Sequence, residues 1–506
     1  MSRPGFRVAL LVAALGLVGA AAALASRPLR TADLPAEVSP AQIGPALHRI
    51  AGLGATSVVL PLSWKGVAPD HAPSDPTDPG SSGYDWSAYD GRVQAAAAEG
   101  LSVVGLLESA PSWALVPASP GGEPTLPDPG ALADFAAAAA TRYSGSYLSL
   151  PRVGAWAVWN EPNISLGLVP QFVGGTPFSP GWYRSMVNGV YDAVKAVDPA
   201  MLVVAGETAP YFDNGVTDVD SDWGPLSFMR KLLCLSDDLQ STCATATKFD
   251  VWATHPYVEG GPRHHASLPN DVSVADLAKM RGLIEAAIAA GHVVSSQDVE
   301  LWATEFSWDS NPPDPRGVPV TTLARWVPEA LYRMWQGGVS LVAWYTLGDL
   351  PLSYRNQSGL LYENGSEKAY AQAFAFPVVG INHRDQLEVW GRTPGGAQAT
   401  VTIQRSTGGA WTYLGTVSSD ADGIFQARFS AEPSGSIRAL APSLGAQSAE
   451  YPLGPDPDVN AVYPQFGEVM LEPASTRVRA AIPAPPAGGS SVRIAVEQRL
   501  RAGQAP

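Results

Sequence analysis

Cysteine is almost missing from this chain: Cys234 and Cys243 are the only two in 506 residues. A metal centre built on thiolates needs more ligands at suitable spacing, so none is expected from them. Basic residues are also scarce. Lys and Arg number 32 against 47 Asp and Glu, leaving a net charge of −15, which argues against a nucleic acid or an anionic membrane surface as partner. No Gly-x-Ser-x-Gly elbow occurs between a strand and a helix, which removes a serine esterase. Gly-rich phosphate loops are absent too, as is any internal repeat of short period. Tryptophan, by contrast, is plentiful at 15 residues.

The two cysteines lie in one Ser/Asp/Thr-rich stretch and read as a local disulfide between Cys234 and Cys243, formed in an oxidising compartment. The amino terminus agrees with export. Arg3 and Arg7 precede an apolar run from Val8 to Leu24, and Ala23-Leu24-Ala25 offers a small-residue cleavage site, so residues 1–25 read as a signal peptide. A retained anchor helix is the alternative, because the run lies at the short edge of membrane-spanning length. No cysteine follows it, against a lipid anchor. The protein is therefore expected to be secreted and extracellular, with a membrane association only if the segment stays uncleaved.

The length allows more than one domain. From Ser39 onward helical patterns alternate with short apolar runs, the signature of βα units on a parallel sheet. Seven strands are predicted: Thr56 to Leu62, Leu101 to Leu107, Val153 to Trp159, Met201 to Gly206, Phe249 to Thr254, Glu300 to Thr304 and Ser340 to Tyr345. They number as strands 2 to 8. Strand 1 is expected near Leu34 to Val38, in a Pro-broken stretch that suggests an irregular seam. Helices between them open with Pro in the first turn and close on Gly100, Gly291 and Gly337. The fold class is α/β, a (β/α)8 TIM barrel over residues 34–377. After Phe376-Pro377 alternating strand patterns with Gly-Gly and Asp-Gly turns predict a C-terminal Ig-like β-sandwich over 378–452. Residues 453–506 are Pro/Gly/Ala-rich and read as a tail.

Two strand ends carry the chemistry. Trp156-Ala157-Val158-Trp159 runs into Asn160-Glu161-Pro162-Asn163, and Val299-Glu300-Leu301-Trp302-Ala303-Thr304 runs into Glu305. A barrel enzyme builds its site where strands end, so two strand-end glutamates suggest paired carboxylates. Glu108 and Glu207 also follow predicted strands. On the residues alone, a Glu161 and Glu207 pair on adjacent strands competes with Glu161 and Glu305.

Residues 40 to 377 resemble the retaining glycoside hydrolases of the large (β/α)8 clan A, nearest to the family 39 and family 5 types. The motifs are Trp159-Asn160-Glu161-Pro162-Asn163, Thr254-His255-Pro256-Tyr257, Thr304-Glu305 and Trp344 on the last strand. The resemblance implies Glu161 as acid/base and Glu305 as nucleophile, cleaving O-glycosidic bonds of oligo- or polysaccharides by double displacement. It decides for Glu305 over Glu207. Asn160 is expected to bind a sugar 2-hydroxyl, and His255 and Tyr257 to orient Glu305 or touch substrate. Trp344 is expected to floor a sugar subsite, with Trp64, Trp113 and Trp308 as further aromatic contacts. One departure is clear: clan members of several families carry an Arg near the end of strand 2, where this chain reads Pro61-Leu62-Ser63-Trp64.

Other classes remain. His255, His264 and His265 raise a metal-dependent barrel hydrolase, but the adjacent pair lies in a Gly/Pro-rich loop without an accompanying ligand cluster, so no metal and no cofactor is expected. A catalytically inactive carbohydrate-binding barrel is the non-enzymatic alternative. The presence of both glutamates and Asn160 argues against it. A carbohydrate substrate and a monomeric state complete the expectation.

Overall fold

A computed structural model describes residues 28–33, 35, 39, 41–68, 70–211, 221–351, 356–383, 386–463, 470–471 and 478–479. The expected signal segment lies outside these residues. Among the described residues no helix is long and apolar enough to cross a membrane.

Eight strands form the barrel: β1 Arg30–Asp33, β2 Ser57–Ser63, β3 Ser102–Glu108, β4 Ala155–Val158, β5 Leu202–Thr208, β6 Val251–Thr254, β7 Glu300–Phe306 and β8 Val339–Trp344. Every neighbouring pair is parallel, and β1 pairs with both β2 and β8, so the sheet closes. Strand 1 thus precedes the Leu34 to Val38 stretch where it was expected, of which Pro35 alone is described. The Pro-broken stretch is not needed for closure. Arg30-Thr31-Ala32-Asp33 is too short and too polar to read as a strand by itself; pairing with β2 and β8 makes it one.

Helices follow the strands in turn: α1 Ile43–Gly52, α2 Ser87–Ala98, α3 Pro129–Arg142, α4 Ser179–Val197, α5 Pro225–Leu232, α6 Leu277–Ala289, α7 Val320–Gln336 and the short α8 Ala371–Ala375. The start chemistry is visible at α3, where the Asp128 side chain accepts from the Ala131 N–H and Pro129 occupies the first turn.

Side chains alternate across each strand. Ala32, Val59, Leu106, Ala157, Ala253 and Ala343 point into the barrel, while Leu60, Trp156, Trp252 and Trp344 point out under the helices. The interior is therefore filled by small residues around one large ring, Trp302. At the strand starts, Arg30 lies over that ring and pairs with Glu300, which also accepts from Ser340 and Trp302. This polar plug seals one end of the barrel. The other end stays open.

Two antiparallel sheets follow. β9 Val378–His383, β10 Gln386–Arg392 and β13 Ile424–Phe429 make one; β11 Thr400–Ser406, β12 Thr412–Ser418 and β14 Ser436–Ala441 are joined in the other by two short strands at Ala446–Gln447 and Tyr451–Pro452. Leu387, Val389, Val401, Ile403, Phe425 and Ile437 are buried in the same apolar cluster as the outer barrel layer. Arg392 joins the two parts. It is fully buried on β10 and donates to Thr31 on β1 at 3.1 Å, with the Gly54 carbonyl at 3.5 Å. Burial lowers its pKa to about 10. Gly54 has φ +76, and a Cβ there would stand 3.0 Å from the Ala375 carbonyl, so the closeness of this junction requires glycine.

The chain does not leave the barrel at Gly454, where the sequence turns tail-like. Asp456 accepts from the Trp326 indole at 2.8 Å, Asp458 from Thr322 at 2.6 Å, and Tyr463 N–H donates to the Glu259 carbonyl at 2.6 Å. Residues 454–463 thus strap across α7 and the loop after β6. Beyond Pro464, which begins a separate unit, Met470–Leu471 pairs with Val478–Arg479. The rest of the tail lies outside the described residues. Cys234 and Cys243 are disulfide-bonded, with Cα atoms 5.2 Å apart.

Replacing Arg392 by Ala should remove the buried hydrogen bonds to the barrel and leave a void, at a cost of about 2–4 kcal/mol. Urea unfolding would read this as a lower midpoint. An unchanged midpoint would show that the junction does not contribute to stability.

Candidate active site

The open end of the barrel gathers its polar side chains from strand ends. The backbone departs there from regular extension: Ser109, Trp159, Glu161 and Glu207 have φ of 60, 66, 45 and 48°, in the left-handed region that L-residues seldom occupy. Such residues cluster where a fold over-determines their placement. Glu161 is held by the sheet and by its own loop. Its N–H donates to the Glu207 carbonyl at 3.0 Å, and the Trp159 indole donates to the Gly167 carbonyl at 2.7 Å. A Cβ on Gly167 would stand 2.2 Å from the Glu161 carbonyl, so only glycine lets the loop pass over that turn. Asn163 completes the lock: its amide donates to the Ala209 and Trp223 carbonyls, and its oxygen accepts from the Ala209 N–H.

On β7 the register against β8 shifts between Ala303 and Phe306. Two consecutive side chains, Thr304 and Glu305, then both reach site groups. Thr304 donates to Glu207 Oε2 at 2.6 Å, while Glu305 Oε2 accepts from the Tyr257 hydroxyl at 3.0 Å. Between them lies His255, wholly buried. Its Nδ1 is 2.9 Å from Glu161 Oε1 and 3.7 Å from Glu305 Oε2, and its Nε2 is 3.1 Å from Glu207 Oε2. One oxygen each from Glu161 and Glu305 and one nitrogen of His255 lie within 4.8 Å of one another. The cluster has the side-chain types for a metal. However, His255 directs both ring nitrogens at carboxylates that it bonds, which spends the lone pair an ion would need.

Burial raises the Glu305 pKa to about 7, with Glu161 and Glu207 adding to the rise and His255 and the Tyr257 hydrogen bond opposing it. Burial alone would depress His255, yet the charge of Glu305 and the contacts with Glu161 and Glu207 carry it well above the usual histidine range. Tyr257 is pushed well up by burial first and Glu305 second. It therefore acts as a donor. Glu108, at the end of β3, is raised by burial, with Lys65 opposing.

A cavity of about 510 Å³ reaches this cluster at Glu305 and is lined also by Pro61, Ser63, Glu108, Asn160 and Tyr345 among others. The Asn160 side-chain oxygen is buried and accepts no hydrogen bond from the protein.

The structure brings together Glu161, Glu305, Asn160, His255 and Tyr257, but it separates the tryptophans from the cavity. Trp344 is 1% exposed, donates to the Ser358 carbonyl and packs against Tyr370 and Phe374. Strand parity is the reason: Leu341 and Ala343 face inward on β8, so Trp344 faces out and the next inward residue, Tyr345, lines the cavity. Trp64 stacks on Phe135 in the core, Trp113 packs edge-on against Trp64, and Trp308 packs against Phe306 and Trp326. His255 reaches carboxylates from below rather than substrate. Sequence reasoning missed Tyr345 and undervalued Glu207; counting parity along Ser340 to Tyr345 would have found the first.

No family model matches the chain, and no curated protein matches it. Among solved structures, a family 39 glycoside hydrolase from the gut symbiont Bacteroides cellulosilyticus WH2 aligns at TM-score 0.50 and 16% identity, over 80% of each chain. The chain has a glycoside hydrolase-like fold. A monomeric β-xylosidase from Caulobacter crescentus CB15 aligns at TM-score 0.43 and 18% identity over 75% of this chain and 84% of that one. A glucosidase from Croceicoccus marinus gives 0.45 and 14% over 80% and 94%. At 16% identity the likeness to the first of these is one of fold.

Because Tyr257 donates to Glu305, Tyr257→Phe should move the Glu305 titration upward from about 7 by roughly half to one unit. Carboxyl 13C shifts of glutamate-labelled protein would show it. A midpoint that stays put would remove Tyr257 from the control of this carboxylate.

Proposed function

We propose that the protein is a retaining β-glycoside hydrolase acting on oligo- or polysaccharides. The observation that carries this reading is the closeness of Glu161 and Glu305, whose oxygens approach within 4.8 Å. Retaining enzymes hold their carboxyl groups roughly 5–5.5 Å apart, whereas inverting ones leave room for a water at about 6.5–9.5 Å. The short spacing supports direct attack by one carboxylate.

In the forward step the Glu305 oxygen bonds to the anomeric carbon as the glycosidic C–O bond breaks, and the electron pair leaves with the departing oxygen. Glu161 protonates that oxygen. In the second step Glu161 takes a proton from water, whose oxygen attacks the same carbon and releases Glu305. Tyr257 and the His255 imidazolium steady the Glu305 charge before attack. The unpartnered oxygen of Asn160 accepts a sugar hydroxyl beside the reacting centre. The need for an ionised Glu305 sets an acid limb in kcat/KM near pH 7.

Export and residence outside the cytoplasm belong to the same proposal, supported by the amino-terminal sequence and the Cys234–Cys243 pair.

Activity of the mature protein on a panel of aryl glycosides and polysaccharides tests the reading and names the sugar. Glu305→Gln should abolish turnover while retaining substrate binding, and a 2-fluoro glycoside should label Glu305 in the parent protein. Label on Glu207 would overturn the assignment. Glu161→Ala should slow cleavage most for poor leaving groups, and azide should restore turnover of an activated aryl glycoside with a β-glycosyl azide as product. An α-azide would remove the retaining mechanism.

A further inference from the structure

The retaining reading assigns roles to Glu161 and Glu305 and none to Glu207, although Glu207 is the most deeply buried of the three carboxylates, at 2% exposure. It is the penultimate residue of β5, with its backbone in the left-handed region. There it meets His255 Nε2 at 3.1 Å and accepts from Thr304 at 2.6 Å. His255 in turn offers its other nitrogen to Glu161 at 2.9 Å. The three groups form one line: Glu207, His255, Glu161.

We propose that Glu207 is a positioning residue that holds His255 as an imidazolium, and through it sets the proton-carrying geometry of Glu161. The inference rests on the glycosidase reading. An imidazolium donates from both nitrogens. With Nε2–H given to Glu207, Nδ1–H is aimed at Glu161 Oε1, which leaves Oε2 of Glu161 to carry the acid proton. When that O–H bond breaks and the proton passes to the leaving oxygen, the new carboxylate faces a hydrogen bond already in place. Glu207 also balances the charge. Without it, the imidazolium would lose one of the three carboxylates that face it and release its proton more readily.

The groups facing His255 agree with this arrangement. Glu161 comes from the end of β4, Glu207 from β5 and Glu305 from β7 at 3.7 Å, while the Tyr257 ring stands edge-on at 6.5 Å. Tyr183 from α4 approaches the same corner: its hydroxyl accepts from the Gly206 N–H at 3.0 Å and donates to the Val158 carbonyl. Three carboxylates against one imidazole keep it charged.

The test is Glu207→Gln in the full-length mature chain, with Glu207→Asp beside it. Histidine 15N shifts report whether both nitrogens of His255 carry protons, without reference to turnover. The parent protein should show an imidazolium through neutral pH, and Glu207→Gln should lose it at least about one unit earlier. In kcat/KM on a substrate with a poor leaving group, the alkaline limb should move down by the same amount, and Glu207→Asp should restore it in part. A Glu207→Gln protein that keeps the parent's histidine titration and alkaline limb, with only a lower maximum, would reduce Glu207 to a structural role and overturn the proposal. If the parent cleaves no glycoside, the glycosidase reading falls while the 15N titration still decides the Glu207–His255 pair. Thermal unfolding of both variants separates a folding defect, in which case the Glu207→Asp titration decides.

Discussion

A single imidazole buried among three carboxylates is the constraint around which the mouth of the barrel is arranged. Carboxylates brought this close repel one another and resist burial, and neither cost is met by the apolar walls of a barrel. His255 meets both, because a charged ring in the middle attracts all three and bonds two of them. Remove that charge and Glu161, Glu207 and Glu305 would have to share protons or move apart.

Placing such a cluster requires a rigid frame, and the frame is built from alternation. Small inward residues on the strands keep the barrel narrow, so side chains at strand ends converge. The left-handed turns at Trp159, Glu161 and Glu207, together with the register shift on β7, break the alternation at the rim and let neighbouring side chains share one site. Outside the barrel the tryptophans do the opposite work. They fill the space between strands and helices, which explains why a tryptophan-rich chain presents none of Trp64, Trp308 or Trp344 to its cavity.

The carboxy-terminal sheets extend this frame. Arg392 reaches the outer face of β1 beside Gly54, and residues 454–463 return over α7 to the loop after β6, where Tyr463 meets Glu259. The loop that follows His255 and Tyr257 is therefore tied at its far side by chain from beyond the second sheet. A segment whose composition suggests a tail becomes part of the wall once it has a partner to bond.

By itself the sequence determined the seven strands from Thr56 onward, the helices between them and the strand-end positions of Glu161 and Glu305, because local periodicity and terminal chemistry suffice for elements of that length. Asn160 and Tyr257 were legible through the motifs they belong to. Strand β1 was not, since four residues become a strand only when β2 and β8 flank them. The tertiary structure alone decided which face each tryptophan takes, that Tyr345 replaces Trp344 at the cavity, and that Glu207 lies beneath His255 rather than at its rim. The physical reason is common to all three. Whether a side chain faces cavity, core or another carboxylate depends on what the closed sheet sets beside it: Glu207 meets a histidine 48 positions away, and Glu161 meets the same ring from 94 positions away.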